Sequence, residues 1–391
     1  MGELFLPNLE KKLVSIRRKL HQYPELSNEE FETTNDQKSW LEEVGIEIVE
    51  SSLKTGVIAE ISGKKKAPIV AVRADIDALP ITEETGLSFA SKIHGKMHAC
   101  GHDYHTAALI GAAYLLKQKE CDLKGTVRFI FQPAEEIGGG ALKVLASGAL
   151  KNVSAILGLH NKPDLPVGTV GIKSGALMAS VDHFEIKIEG IGTHAAVPHA
   201  GIDPIVTASE MIMALQTIVS RKLSPFHNVV ISVAQIRSGH TWNVISNSAH
   251  LEGTVRTFQE DIREKIPGLM KQIIEGVAVA HGARAVLRWY PGPPPVNNDE
   301  KLTKLAIKTA EKLKLKVVDP IPSMAGEDFA FYQKEVPSSF VFMGTSGTKE
   351  WHHPAFTLDE RALSISAHYL KKVAVSTLTE FNVSSDDDGM E

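Results

Sequence analysis

Apolar residues recur along this chain with two different periods. Over residues 9–20 and 28–44 they return every three to four positions, which predicts two helices with one buried face each. Residues 68–74 (PIVAVRA), 126–131 (TVRFIF) and 155–159 (AILGL) are instead short, nearly unbroken apolar runs rich in β-branched or bulky residues. Runs of this kind predict strands covered on both faces. A helix is expected over 104–118, between the first two. Strands separated by helices predict an α/β fold with a mostly parallel sheet flanked by helices.

The pattern changes near residue 181. Over 181–189 (VDHFEIKIE), Phe184, Ile186 and Ile188 alternate with Glu185, Lys187 and Glu189, the mark of a half-buried antiparallel strand. A helix over 204–222, strands over 229–236 and 249–258, a helix over 260–280 and a strand over 283–289 follow. The order β-α-β-β-α-β is ferredoxin-like. The run PGPPP at 291–295 ends it as a stiff linker. A helix over 299–313, a strand over 340–343 and a helix over 360–378 return to the first style. One domain of residues 1–178 and 295–391 is therefore expected, interrupted by a second of residues 179–294.

Composition narrows the classes. Apolar residues make up 43% and charged residues 23% of 391 positions, which excludes a disordered, collagen-like or coiled-coil chain. The formal net charge is −5, and four of the acidic groups (Asp386, Asp387, Asp388, Glu391) crowd into the last six residues, a tail expected to fray. The nearly neutral remainder offers neither nucleic acid nor an anionic membrane a basic face. The longest apolar run, residues 107–116, falls short of the ~20 residues of a membrane span. Residues 1–12 show no basic stretch followed by an apolar one, and Leu6 stands where a myristoylation motif wants Ser or Thr. With only Cys100 and Cys121 there is no disulfide framework. A cytoplasmic protein is expected.

Against this background, 16 histidines are many, and several cluster with carboxylates at the ends of expected strands. The clusters are RADIDALP (73–80), MHACGHDYH (97–105), QPAEE (132–136), GLH (158–160) and WHHP (351–354). Positions just past the strand ends of an open α/β sheet converge on one crevice. Thiolate, imidazole and carboxylate together suit zinc and other first-row divalent metals. In Cys100-Gly101-His102, the glycine permits a turn sharp enough to bring both side chains to one ion. Of the adjacent pair Glu135-Glu136, one can bind metal while the other takes a proton from an activated water. Taken singly, each cluster also has an ordinary reading as a buried thiol, a strand-end cap or a satisfied core histidine.

These residues stand in longer strings: HQYPELS (21–27), FQPAEE (131–136), GLHNKPDLPVG (158–168), GTHAAVPH (192–199), WNVI (242–245), GTVRTF (253–258), AGEDF (325–329) and WHHPAF (351–356). With RADIDALP and MHACGHDYH, they make the chain resemble the metal-dependent amidohydrolases of the aminoacylase–carboxypeptidase superfamily along nearly its whole length. The subgroup it is most similar to contains hippurate hydrolases, N-acyl-amino-acid amidohydrolases, N-acetyl-diaminopimelate deacetylases and auxin-conjugate hydrolases. The resemblance implies two divalent metal ions per subunit (Zn, Mn, Ni or Co). Cys100 would bridge them, with Glu136 and His102 completing one metal and His160 and His352 the other. Glu135 would be the general base, and Asp77 would orient a neighbouring ligand or base. Asp75 falls where distant relatives carry a metal histidine; its own role stays open.

The inserted domain, by the same resemblance, is a lid or dimerisation domain. His194 would stabilise the tetrahedral oxyanion, in its own or a partner subunit's site. Asn243 and Arg256 would bind the substrate's carboxylate or amide, and the loop at Gly326 would approach the substrate. Two departures stand out: Ala325 where the subgroup often has Gly, and Ser246 where many relatives have Pro. The implied activity is hydrolysis of the amide bond of N-acyl-amino acids, by a homodimer or homotetramer. A dipeptidase or carboxypeptidase would share the site, and a hydrolase with Cys100 as nucleophile would use the same thiol without metal.

Overall fold

The computed structural model describes residues 9–387. Residues 1–8 and the end of the acidic tail, 388–391, lie outside the described residues. The chain folds as two compact units. The first takes in the described residues to Gly175, then Asn297–Ile321 and everything from Asp328 on; the second is Ala176–Val296 with Pro322–Glu327. The expected cut points, after residue 178 and before 295, thus move to Gly175 and Asn297. Pro322–Glu327, expected in the first unit, belongs to the second.

In the first unit an eight-stranded sheet carries four parallel strands at its centre, in the order Thr126–Gln132, Ile69–Asp75, Val153–Lys162, Ser338–Gly344. Its flanks are mixed: Val57–Ser62 and Glu47–Val49 add antiparallel on one side. On the other, Thr169–Gly171 adds antiparallel and Lys316–Val318 pairs parallel to it. The helices Leu9–Gln22, His102–Lys117 and Ala362–Asp387 share one core with the sheet face bearing Val70, Val72, Phe129, Leu157 and Val341. On the opposite face Phe329 stacks on Phe340 at 4.7 Å between ring centroids. The last helix runs to Asp387 rather than ending near 378.

In the second unit the strands Asp182–Glu189, Val229–Ser238, Ser248–Thr257 and Arg284–Pro291 form one antiparallel sheet. The spatial order, second–third–first–fourth, is that of the ferredoxin-like arrangement. Phe184, Ile186 and Ile188 are buried, as their alternation requires, against Met211 and Leu215 of helix Pro204–Thr217 and Ile266 and Met270 of helix Glu260–Ala280. Asp203 caps the first of these helices, its carboxylate accepting the N–H groups of Ile205 and Val206. The expected helix over 204–222 closes with a π-helical turn at Ile218–Lys222. No described helix is long and apolar enough to cross a membrane.

Candidate metal site

The four central parallel strands of the first unit deliver the clusters to one end of the sheet. Asp75 closes the strand Ile69–Asp75, Glu135 and Glu136 follow Thr126–Gln132, and His160 sits near the end of Val153–Lys162. His102 opens the helix His102–Lys117, one turn of backbone after Cys100. Gly101 between them has φ +85°, and a Cβ there would lie 2.6 Å from the Asn161 side-chain nitrogen. Both conformation and space therefore demand glycine at this position. His352 reaches the site from the loop after Ser338–Gly344; its N–H donates to the Ala99 carbonyl (2.9 Å), joining the two ligand loops.

The donor atoms form two triples that share one thiol. Cys100 lies with His102 and His160 in one, and with Glu136 and His352 in the other; within each triple the ligand atoms are within 4.8 Å of one another. Cys100 Sγ is 3.5 Å from His160 Nε2, and Glu136 Oε2 is 3.4 Å from His352 Nε2. The thiol shared by both triples is the one the resemblance implies as the bridge. Glu136 lies in a further triple with His102 and Glu135, as well as in the one with His352.

Two buried atoms, His102 Nε2 and Glu136 Oε1, face each other at 3.7 Å with no hydrogen-bond partner. A buried acceptor left without a donor is costly unless something fills the gap. The tautomers fit a cation. His160 Nδ1 donates to the Asn161 carbonyl at 2.8 Å, which leaves the Nε2 lone pair toward the thiol. His102 Nδ1 lies 3.3 Å from Asp77 Oδ1, so Nε2 is the nitrogen that faces Glu136.

Electrostatics point the same way. Burial pushes the Cys100 thiol well above its usual range, and Glu136, Glu135 and Asp75 push it further. Burial raises Glu136 to about 7 against the pull of His102. His102 is raised to about 10, because Asp75, Asp77 and Glu136 outweigh its burial. His160 is held well below 6.5 by burial and the neighbouring His105, and His352 is lowered by burial and His102, the direction that favours the neutral imidazole a metal takes. A site short of positive charge suits metal ions. It does not suit a nucleophilic thiol, which needs a lowered pKa; the reading of Cys100 as nucleophile is not supported by these surroundings.

Around the ligands lies a set of positioning groups. Asp77 accepts the N–H of Glu135 at Oδ1 and that of Glu136 at Oδ2, both at 3.1 Å, and the Ser27 hydroxyl at 2.6 Å. Although burial opposes it, the bonds from His102, Ser27 and Glu136 hold this carboxyl below the usual range. Asp75 finds its role here: it pairs with Arg73 (2.8 Å) and takes His105 Nδ1 (2.6 Å), while His105 Nε2 accepts the Asn161 N–H (2.9 Å). His105 is thereby satisfied on both nitrogens and is not needed as a ligand. Asn161 also donates to the Cys100 carbonyl (2.6 Å) and accepts from the Trp351 indole (3.2 Å). The Glu135 carboxylate accepts the Asp328 N–H at 3.3 Å. Asn161 and Asp328 lie in the strings GLHNKPDLPVG and AGEDF, but no role was read for either, because their partners come from far along the chain.

Four expected residues lie in the second unit. His194 and Asn243 come together on a two-stranded ribbon, where Val244 pairs with His194 and the Ala195 N–H donates to the Asn243 carbonyl (3.0 Å). Arg256 lies on the sheet opposite Val230, half-buried, its guanidinium donating to Thr254 and to the Val255 carbonyl. At Gly326 a Cβ would come within 2.0 Å of the Val181 side chain, so packing alone accounts for that glycine. Ser246 caps the start of the strand Ser248–Thr257 through its hydroxyl, and Ala325 is exposed.

The sequence profile of the peptidase family M20/M25/M40 matches residues 71–376. Two Bacillus subtilis proteins are similar over almost the whole chain. One, named N-acetyl-L-cysteine deacetylase, is 54% identical over 94% of this chain and 89% of its own length. The other, named N-acetylcysteine deacetylase, is 55% identical over 94% and 97%. A solved Bacillus subtilis structure, described as a dinuclear metal binding peptidase from the M20 family, superposes with a TM-score of 0.88 at 51% identity, covering 96% of this chain and 99% of that one.

Proposed function

The chain belongs to the M20/M25/M40 peptidase family and is an amide-bond hydrolase, and from that premise we propose that it deacylates N-acyl-amino acids with two divalent metal ions and Glu135 as general base. The observation that carries this reading is the pair of donor triples sharing Cys100, with the Glu135 carboxylate beside them and its backbone clamped by Asp77. The reaction consumes one water and one amide and yields a carboxylate and a free amino acid. Two bound cations supply Lewis acidity, which lowers the pKa of the attacking water and polarises the scissile carbonyl.

The chain's own residues do the rest. Glu135 accepts the proton of the attacking water and passes it to the leaving amine. Cys100, His102, Glu136, His160 and His352 supply the ligands, and zinc, manganese, nickel and cobalt all suit such a set. His194 is assigned the oxyanion, and Asn243 and Arg256 the carboxylate or amide of the substrate. Among acyl groups the N-acetyl group comes first, and among amino acids cysteine, because the two similar Bacillus subtilis proteins carry those names. A cytoplasmic setting fits the free thiols Cys100 and Cys121. A homodimer or homotetramer is proposed through the second unit, whose edge strand Val229–Ser238 exposes Val230 and Ile236.

The test is turnover by the purified protein on N-acetyl, N-benzoyl and indoleacetyl amino acids and on dipeptides. Amine release that needs a divalent metal supports the reading. Preference for dipeptides over every N-acyl-amino acid would move it to a peptidase with the same site.

A further inference from the structure

The turn that presents Glu135 and Glu136 is held by a second carboxylate besides Asp77. Ala134, the residue before the pair, has φ +56°, the left-handed region that non-glycine residues rarely adopt. Its N–H donates to Glu30 Oε1 at 2.9 Å. Three successive backbone N–H groups, those of Ala134, Glu135 and Glu136, therefore all end on buried carboxylates: the first on Glu30, the next two on Asp77. Glu30 is fully buried. Its other oxygen accepts the Thr55 hydroxyl at 2.8 Å. The neighbouring Gly56 N–H donates to Thr34 Oγ1 at 2.7 Å, and the Thr34 hydroxyl donates to the Glu30 carbonyl. Gly56 itself presses on the turn: a Cβ there would meet the Phe131 carbonyl oxygen at 2.5 Å and the Pro133 ring at 2.8 Å. Burying a carboxylate is costly unless its bonds are made, and here one of them goes to the residue whose backbone is strained.

We propose that Glu30 is a positioning residue for catalysis, which holds Ala134 in its left-handed conformation and so aims the Glu135 carboxylate. The proposal rests on the reading of Glu135 as general base. Glu30 touches neither substrate nor metal ligand. It acts through one backbone amide, and a small displacement of a catalytic group costs up to about 100-fold in rate. Strain stored next to a reacting group persists only where the surroundings over-determine it, and Glu30, Thr55 and Gly56 are those surroundings.

The experiment uses the full, metal-loaded protein and a good N-acyl-amino acid substrate. Glu30→Ala is expected to lower kcat by ~10–100-fold with little change in KM, because the chemical step and not substrate binding is affected. Amide hydrogen exchange over residues 131–137 is expected to accelerate in the same variant, a readout independent of turnover. Glu30→Gln keeps one acceptor for Ala134 and is expected to recover most of the lost kcat. Adding Ala134→Gly to Glu30→Ala should also recover activity, since glycine occupies the left-handed region without strain; a purely structural role for Glu30 gives no such rescue. Should Glu30→Ala fail to fold, Thr55→Val, which removes one donor to the Glu30 carboxylate, is expected to lower kcat in the same sense. Wild-type kcat and unchanged exchange in Glu30→Ala, or in Thr55→Val where the alanine variant does not fold, would overturn the proposal. So would a loss that neither Glu30→Gln nor Ala134→Gly repairs. Glu135→Gln is the control: if it retains turnover, the base reading itself has failed, whatever Glu30 does.

Discussion

Asp77 grips Glu135 by the backbone: its Oδ1 accepts the Glu135 N–H at 3.1 Å. The same carboxylate accepts the N–H of Glu136 and lies against His102. One side chain thereby sets the base and a ligand of each triple. Asp77→Ala should lower metal affinity by ~10–100-fold, the cost of losing a group that orients ligands, and lower kcat at saturating metal as well. Metal titration and steady-state kinetics on the same preparation check both.

The adjacent glutamates should separate cleanly. Glu135→Gln is expected to lose ~10²–10⁴-fold in kcat, the usual contribution of a general base, while still binding two metals. Glu136→Ala removes a donor from the triple with His352 and should bind less metal. Metal analysis after gel filtration distinguishes the two variants directly.

Metal loading should depend on pH with a definite sign. In the metal-free site burial raises the Cys100 thiol and Glu136 (to about 7), and against burial Asp75, Asp77 and Glu136 raise His102 (to about 10), so all three are shifted toward holding their protons. Binding a cation must expel these protons. Apparent affinity should therefore rise steadily from pH 6 to 9, by about tenfold per pH unit for each proton released. Calorimetry in buffers of different ionisation enthalpy counts those protons; no release would contradict the ligand set.

Stability has a second pH signature, at His21. His21 is buried against Asp103 (2.8 Å) and Glu83 (3.2 Å), with Arg17 also on Asp103 (3.1 Å). Against the effect of burial, the Asp103 and Glu83 contacts raise His21 to about 9. A raised pKa gives stability that is complete below the unfolded value of about 6.5 and is lost as pH climbs through 9. Asp103 is shifted down by Arg17 and His21 in spite of burial, and its contribution is lost instead as pH falls. Urea unfolding should weaken between pH 6.5 and 9.5 by up to ~3 kcal/mol, and His21→Gln should flatten that slope.

Much of this was legible in the residue pattern, and the exceptions have physical causes. The four central strands announce themselves because both faces are buried, as in TVRFIF. The alternation of 181–189 marked the antiparallel unit for the opposite reason. The flanking strands Glu47–Val49, Thr169–Gly171 and Lys316–Val318 have three residues each, too short for any period, and exist because a neighbour offers its edge. Val57–Ser62 was also missed, its alternation broken by Glu60, which pairs with Arg128. The ligand types could be read from their strings, but which donor atoms lie within reach of one another could not. That is a tertiary fact. Glu30 lies 104 residues from the backbone amide it holds, and nothing local to either residue connects them.

The most direct test of the whole account is amine release from N-acetyl-cysteine and a panel of N-acyl-amino acids, with metal quantified before and after chelation. The expected result is two metal ions per chain, turnover lost when they are removed, and turnover restored when zinc, manganese, nickel or cobalt is returned. Turnover that survives complete removal of metal and stops on alkylation of Cys100 would contradict the account at its centre.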